Sequence, residues 1–572
     1  MTYDYIIAGG GTAGAVLANR LSARPDVKVL VIEAGEDTPP GRVPAEILDS
    51  FAGLAYLNDR FLWNDLRVTT ELRSHNRPEQ APRARKYEQA RVLGGGSSIN
   101  GQFANRGSPA DYDEWESLGA SGWNWDSVLP YFRKLERDYD FDGPLHGKDG
   151  PIAVSRIFKD QWPEHAKAMA RALEEAGFDY IADQNGEFVD GYYPVAISNV
   201  YDRRVSTAIA YLTSTVRQRP NLTILTRTQV CRLLFDGARC VGVVAADKSG
   251  EKTYHAREVI VSSGAIYSPA LLLRSGIGPA AELRALNIDV VADVPGVGKR
   301  LMDHPAVAVA AFVKPQARIN GRTRRHLMLG LRLSSGMAGI PAGDMAVSIS
   351  TKSAWHKVGD QLATANIWVN KTYSDKGEVR LKSADWRDQP AVDFNLLADP
   401  RDIERLMAAF KTMAAAIQSP LMSDAVADPF PASYSDKVRQ VAAITPRNRV
   451  LTSILAKMLD GPDSLRRMLI RTFILEGAPL EVLLRDDDEL EAFVRRAAVG
   501  VWHASCSCRM GAMEDPMAVV DPEGRVKNTS GLRVIDASIF PTIPCGNTNL
   551  PVIMLAERMS DLILADAEVH AA

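Results

Sequence analysis

The sequence predicts an α/β fold: a βαβ unit wound around a glycine turn, followed later in the chain by a part built on antiparallel sheet flanked by helices. Two observations carry the first half of that reading. Residues 5–8 are a short apolar run without a polar break, as a buried parallel strand is, and residues 28–32 are a second apolar strand that begins at Lys28. A helix-length stretch with Leu17, Ala18 and Leu21 on one face lies between them. The second half rests on alternating stretches at 345–349 and 365–369, with helical periodicity at 402–418 and at 163–176, where Ala168, Met169, Leu173 and Ala176 share a side.

The first strand stops at Gly9, Gly11 and Gly14, which have the G-x-G-x-x-G spacing. The first glycine allows a tight turn and the second lets main chain approach a pyrophosphate. The third brings the next helix close to the strand, with its positive N-terminal end aimed at the phosphates. Glu33 ends the second strand, where a carboxylate accepts hydrogen bonds from ribose hydroxyls. Strand, turn, helix, strand and acid in that order define a Rossmann-like dinucleotide site. The turn itself does not choose between FAD and NAD.

A chain of 572 residues holds roughly two to four domain-sized units. With 46% hydrophobic and 24% charged residues it has an ordinary globular composition, and a formal charge of −3 gives no reason to expect nucleic acid or membrane as a partner. No apolar run approaches the roughly 20 residues needed to cross a bilayer. The first strand starts so early that no signal peptide precedes it, so a cytoplasmic location is expected. Five cysteines make no disulfide framework. Cys506, Cys508 and Cys545 lack a second thiolate or imidazole pair at ligand spacing, so buried thiols and no metal are expected.

Residues 36–90, rich in proline and charge, read as a long surface excursion of the kind that covers a cofactor. The segment ARVLGGGSSINGQFANRG (90–107) offers bare main-chain N–H groups and hydroxyls, and apolar Val92, Leu93 and Ile99 bracket its glycines too tightly for a flexible linker. Residues 111–136 read as helix, tryptophan-rich turn and helix. Strands are expected at 223–234, 240–246 and 255–262, with a turn at Asp236-Gly237; residues 430–490 are helix-like and charged.

GGGTAG with Glu33, RVLGGGSSIN, SSGAIYSPALLLRSGIGP (262–279), PGVGKRLMDH (295–304) and the C-terminal segment VGVWHASCSCRMG…VIDASIFPTIPCGNTNLP together resemble the glucose–methanol–choline (GMC) family of FAD-dependent oxidoreductases. The markers span nearly the whole chain. The resemblance implies an FAD-binding domain at 1–157, 203–305 and 495–572. A substrate-binding domain at 158–202 and 306–494 would roof the flavin with a six-stranded sheet. It implies cofactor contacts at Gly9, Gly11, Thr12, Ala13, Gly14, Glu33, Ala34, Leu93, Gly95, Ser98, Asn100, Gly101, Val230, Ala265, Trp502, Asp536, Ala537, Asn547 and Thr548. Ile99 stands where some members attach FAD through a histidine, so non-covalent FAD is expected. Cys506-Ser507 stands where many members have Gly-Thr.

Taken alone, His503 reads as a hydrogen-bonded core histidine and Asn547 as a helix cap. In the family these positions hold the active-site pair. An imidazole with an unperturbed pKa of ~6.5 accepts the alcohol proton, and an Asn amide donates to the developing alkoxide, which a carboxylate cannot do. Flanking residues (GVWHAS, IWVNK, VDFNLLADPRD, NTNLP) are most similar to bacterial 5-(hydroxymethyl)furfural oxidases. That similarity implies a slot for flat rings made by Val501, Trp502 and Trp368, with no clear counterpart of the carboxylate and aromatic cage that a choline enzyme needs. The expected activity is FAD-dependent oxidation of primary aromatic or furanic alcohols to aldehydes, and through the hydrate to acids, with O2 reduced to H2O2. The alternatives are a GMC dehydrogenase of the alcohol or choline type with a non-oxygen acceptor and, further off, an FAD-containing hydroxynitrile lyase.

Overall fold

The computed structural model describes residues 2–70, 84–319, 321 and 323–571. Two large sheets organise it. In the first, the parallel strands Leu222–Leu225, Val29–Ile32, Thr2–Ala8 and Gly250–Val261 lie side by side, with Leu532–Val534 parallel to the last. Ile6 sits opposite Leu30 on one side and Val259 on the other, all fully buried, which is why residues 6–8, 29–32 and 259–261 are apolar throughout. The sheet continues antiparallel through Arg239–Asp247 to Gln229–Asp236.

The helix Thr12–Leu21 follows the glycine turn and packs on the C-terminal helix Asn549–Ala571, where Arg20 pairs with buried Glu557 at 2.6 Å. A Cβ at Gly14 would lie 2.0 Å from the Gly9 carbonyl oxygen, so the close helix–strand approach requires glycine.

One expected strand is two. The 223–234 stretch breaks at Thr226–Thr228, where Arg227 adopts φ 54°. The Arg227 and Thr228 N–H groups donate to the carbonyls of Gly35 (2.7 Å) and Glu33 (2.9 Å), which swings the chain from a parallel pairing into the antiparallel hairpin. The turn carries Gln229 and Val230 to the cavity described below.

The second sheet is antiparallel, in the order Val426–Ala432, Pro305–Val313, Leu362–Val369, Met345–Ser350, Leu327–Leu333, Gly191–Pro194, with the two-residue strand Val499–Gly500 beside Pro305 and Ala306. Strand alternation sorts its residues. Val307, Val309, Ala365 and Ile367 join Leu406, Phe410 and Met413 of the helix Pro400–Gln418 in a core; Ala306, Ala308, Ser348, Thr364, Asn366 and Trp368 point the other way, into the cavity. Residues 436–497 form a run of helices, including Asp436–Ala442, Pro446–Leu459 and Asp487–Ala497.

Described residues of the 36–90 segment have a small core. Ile47, Phe61 and Leu62 close it with Val92 and Ile99, and Arg67–Thr69 pairs with Ala391–Asp393, so the segment is pinned over the glycine-rich turn. Its residues 71–83 lie outside the described ones. No helix among the described residues is long and apolar enough to cross a membrane.

Candidate active site

A cavity of ≈ 1080 Å³ runs between the two sheets. One end is built by the glycine turn. No side chain caps the helix Thr12–Leu21, and Gly11, Thr12 and Ala13 line the cavity, so its first-turn N–H groups are left to an anionic ligand. Gly95 closes on Gly11 so tightly that a Cβ at Gly95 would meet the Gly11 Cα at 2.7 Å. Glu33 is buried and accepts from the N–H groups of Gly10 (2.9 Å) and Gly35 (2.7 Å), which aim its carboxylate along the cavity wall; burial raises its pKa against those bonds. A bare main-chain cradle and a buried carboxylate at the end of the next strand, both lining one cavity, fit FAD.

Of the other expected contacts, Gly9, Ala34, Asn100, Gly101, Val230, Ala265, Asp536, Ala537 and Thr548 also line this cavity. Gly14, Leu93 and Ser98 stand behind it. Gly14 packs helix on turn, the Leu93 side chain backs Gly10, and Ser98 Oγ donates to the Leu93 carbonyl at 2.9 Å. Asp536 is buried, accepts from the Gly264 N–H at 2.8 Å and holds Ser268 Oγ at 2.5 Å.

At the other end, His503 and Asn547 meet: Asn547 Nδ2 lies 2.9 Å from His503 Nε2. The orientation of both groups follows from one backbone donor. The N–H of Asn547 donates to Asn105 Oδ1 at 2.7 Å, so Asn105 Nδ2 is the group that donates to Asn547 Oδ1 at 2.8 Å. Asn547 therefore turns its amide N–H to His503, whose Nε2 accepts and whose proton sits on Nδ1. That Nδ1–H faces His304 Nδ1 at 2.8 Å, with the two rings edge to face. Burial pushes His503 down to about 3 and His304 well below its ordinary value, so both imidazoles are neutral at physiological pH.

Asp303 holds the two histidine segments together. Its Oδ1 accepts from the N–H groups of His304 (2.8 Å), His503 (2.9 Å) and Val501 (3.2 Å), and burial raises its carboxyl to about 7 despite those donors. Trp502 and Cys506, on either side of this turn, both have left-handed backbones (φ 61° and 71°). A glycine rests there without strain, which accounts for the family's glycine at position 506 and marks Cys506 as a strained substitute.

Val501, Trp502 and Trp368 all line the cavity beside His503. Trp368 is buried against Ala306, Ala346 and Val501, and its indole N–H donates to Asn370 Oδ1 at 3.3 Å. Trp502 stands at the mouth, 38% exposed, with its N–H on Glu88 at 3.2 Å. Sequence reading missed Glu88, Asn105, Asp303 and His304 as site residues. Glu88, beside Tyr434 and Trp502, is a carboxylate with aromatic neighbours, but Arg439 lies 3.9 Å from it and supplies the opposing charge.

Four of the five cysteines are buried. The one group of side chains placed to hold a metal ion, among the described residues, is Glu136, Asp138 and His146, buried and away from the cavity. Arg106 and Arg156 pair with it at 2.5 and 2.9 Å. Burial opposes a charge on His146, but hydrogen bonds to Asp138, Asp183 and Glu136 raise it to about 10. Two guanidinium groups and an imidazolium already balance these acids.

The GMC oxidoreductase N- and C-terminal family models match residues 3–306 and 372–556, and the chain belongs to this family, whose cofactor is FAD. Over its length it is 44% identical to the 5-(hydroxymethyl)furfural oxidase of Methylovorus sp. strain MP688, covering 99% of both chains. It is 35% identical to the oxygen-dependent choline dehydrogenase of Paraburkholderia phymatum, covering 98% and 92%. The crystal structure of pyridoxine 4-oxidase from Mesorbium loti superposes with a TM-score of 0.79 at 27% identity, covering 98% and 99%.

Proposed function

We propose that the protein oxidises primary aromatic or furanic alcohols, 5-(hydroxymethyl)furfural among them, to aldehydes, with non-covalently held FAD and with O2 reduced to H2O2. The observation that carries this reading is the 2.9 Å approach of Asn547 Nδ2 to His503 Nε2 in a cavity walled by Trp368, Val501 and Trp502. In this reading the cofactor unit comprises residues 1–157, 203–305 and 495–572, and the substrate unit 158–202 and 306–494.

The alcohol takes the place of the hydrogen bond between the amide and the imidazole. Its hydroxyl donates to His503 Nε2, and its oxygen accepts from Asn547 Nδ2–H, so one group takes the proton while the other steadies the alkoxide. The arriving proton makes an imidazolium whose Nδ1–H already has an acceptor in His304 Nδ1. FAD, held by the glycine turn and Glu33, would supply the two-electron acceptor for the carbinol hydride and the link to O2. An aldehyde hydrate presents the same hydroxyl to the same pair, which extends the reaction to acids.

Mixing the FAD-loaded protein anaerobically with 5-(hydroxymethyl)furfural or vanillyl alcohol tests this. The flavin bands are expected to bleach, and to recover with peroxide release when air is admitted. Bleaching without recovery would make the protein a dehydrogenase with another acceptor. Failure to bleach, with cyanohydrin cleavage, would make it a lyase. Acid precipitation is expected to release the flavin into the supernatant, as non-covalent binding requires.

A further inference from the structure

The helices at 436–475 are apolar on two faces: Ala456, Leu459, Leu469 and Ile470 pack into a core with Phe312 and Phe430, and a second apolar set faces outward. Nine of the seventeen large hydrophobic side chains exposed among the described residues fall between 441 and 482, a density that scattered surface exposure does not produce. In the helix Pro446–Leu459, Val450, Leu451, Ile454 and Met458 share one face and are 59, 51, 54 and 40% exposed, while Thr452, Ala456 and Leu459 are its buried residues. An amphipathic helix normally turns its apolar stripe inward. Phe473 adds a half-exposed ring, and Leu451, Ile454, Met458 and Phe473 all line the cavity that leads to His503. The apolar face is therefore the rim of the active-site entrance.

Its charge is also unlike the rest of the chain. Residues 436–475 carry eight Lys and Arg against three Asp, a balance of +5 in a chain of −3. Lys437, Arg447, Lys457 and Arg471 are exposed and make no ion pair among the described residues. The whole-chain balance, which gives no reason to expect a membrane, conceals this local one. A second copy docked symmetrically on the same face would set +5 against +5.

We propose that this face docks the protein on an anionic membrane surface. The exposed side chains of Leu451, Ile454, Met458 and Phe473 enter the headgroup boundary, and the free basic residues around them meet lipid phosphates. No helix among the described residues is long and apolar enough to span the bilayer. Docking places the cavity mouth at the interface, where alcohols that partition into lipid are concentrated.

The test is flotation of the FAD-loaded protein with vesicles of phosphatidylcholine, with and without phosphatidylglycerol. Binding is expected on the anionic vesicles only, and is expected to be released at about 1 M salt, where screening acts within roughly 3 Å. The double variant Arg447→Glu/Lys457→Glu, both outside the cavity lining, is expected to retain bound FAD and to lose at least about tenfold in vesicle binding. No flotation, or equal flotation on neutral vesicles, would overturn the proposal. So would a concentration-dependent dimer in solution that Leu451→Glu dissociates, because a second copy would then cover the face.

Discussion

Asn105 grips Asn547 at two points. Its Oδ1 accepts the Asn547 backbone N–H at 2.7 Å, and its Nδ2 donates to the Asn547 side-chain oxygen at 2.8 Å. A backbone N–H only donates, so this contact fixes the polarity of the whole row from Asn105 through Asn547 and His503 to His304. The row determines that Nε2, the atom facing the cavity, carries a lone pair and not a proton.

Asn105→Asp keeps the acceptor for the backbone N–H and puts a second acceptor where Asn547 needs a donor. Asn547 is expected to flip, present oxygen to His503 and force the proton onto Nε2. Flavin reduction in stopped flow is expected to slow by roughly 10²-fold, at the low end of what a positioned base contributes, with bound FAD unchanged. Asn105→Ala, which frees the amide without reversing it, is expected to fall between the two. Equal rates in all three proteins would remove the orienting role. Loss of FAD from Asn105→Asp would instead mark a structural one.

His503→Ala removes the base and leaves the glycine cradle untouched. Flavin reduction by alcohol is expected to fall by about 10²–10⁴-fold while the flavin spectrum of the resting protein persists. Unimpaired reduction would sink the assignment.

Protonation of buried histidines is expected to dominate acid stability. His165 and His356 are held down to about 4 by burial and His326 and His503 to about 3, and burial holds His304 well below its ordinary value. A group whose folded pKa lies below its unfolded value near 6.5 takes up its proton first in the unfolded chain. Its contribution is therefore complete above about pH 6.5 and is lost as pH falls toward the folded value. Each costs up to about 1.4 kcal/mol per pH unit across that window. Asp303, raised to about 7, and the carboxyls of Glu33, Glu88, Asp402 and Asp536, also raised by burial, hold protons in the fold and offset part of this loss. Melting temperature is expected to drop steeply from pH 6.5 to 5. A flat profile there would mean these histidines are not neutral in the folded protein.

Asp303 allows a separation of charge from shape. Asp303→Asn retains an oxygen for the N–H groups of His304, His503 and Val501 and is expected to keep FAD and most of the reduction rate. Asp303→Ala abandons three buried donors at about 1–3 kcal/mol each. It is expected to lower the melting temperature and slow reduction together. Gly500→Ala is expected to resemble it, since a Cβ there would lie 2.3 Å from Asp303 Oδ2. Equal behaviour of the Asn and Ala variants would mean that the N–H contacts do not hold the loop.

What could be read from sequence divides by range. The βαβ unit and the strands at 345–349 and 365–369 are local patterns, and the structure has them. The break at Arg227 is imposed by carbonyls of Gly35 and Glu33, nearly two hundred residues earlier, and no local signal announces it. The 36–90 segment looks like surface because its prolines and charges outnumber Ile47, Phe61 and Leu62, which nonetheless close a core with Val92 and Ile99. His503 and Asn547 stand out in the sequence only through a family pattern. Asn105 and His304 stand inside the same family segments, but their roles arise from pairings across 442 and 199 residues that only the fold creates.

The pairing of Glu88 with Arg439 bears on substrate choice. Glu88 lines the cavity with Tyr56, Tyr434 and Trp502, an arrangement suited to an ammonium group. Arg439, 3.9 Å away, cancels that charge, and Lys437 lines the same cavity. At such a separation two unit charges interact by about 4 kcal/mol at an effective dielectric near 20, enough to decide whether a cation is welcome. The unmodified protein is therefore expected to leave its flavin oxidised when mixed anaerobically with choline, unlike the choline dehydrogenases it resembles. Arg439→Gln uncovers Glu88 and is expected to admit choline with measurable, saturable flavin reduction, while Glu88→Gln in the same background abolishes it. Rapid reduction of the unmodified protein by choline would show that Arg439 does not neutralise the site, and would move the substrate class from planar rings to cations.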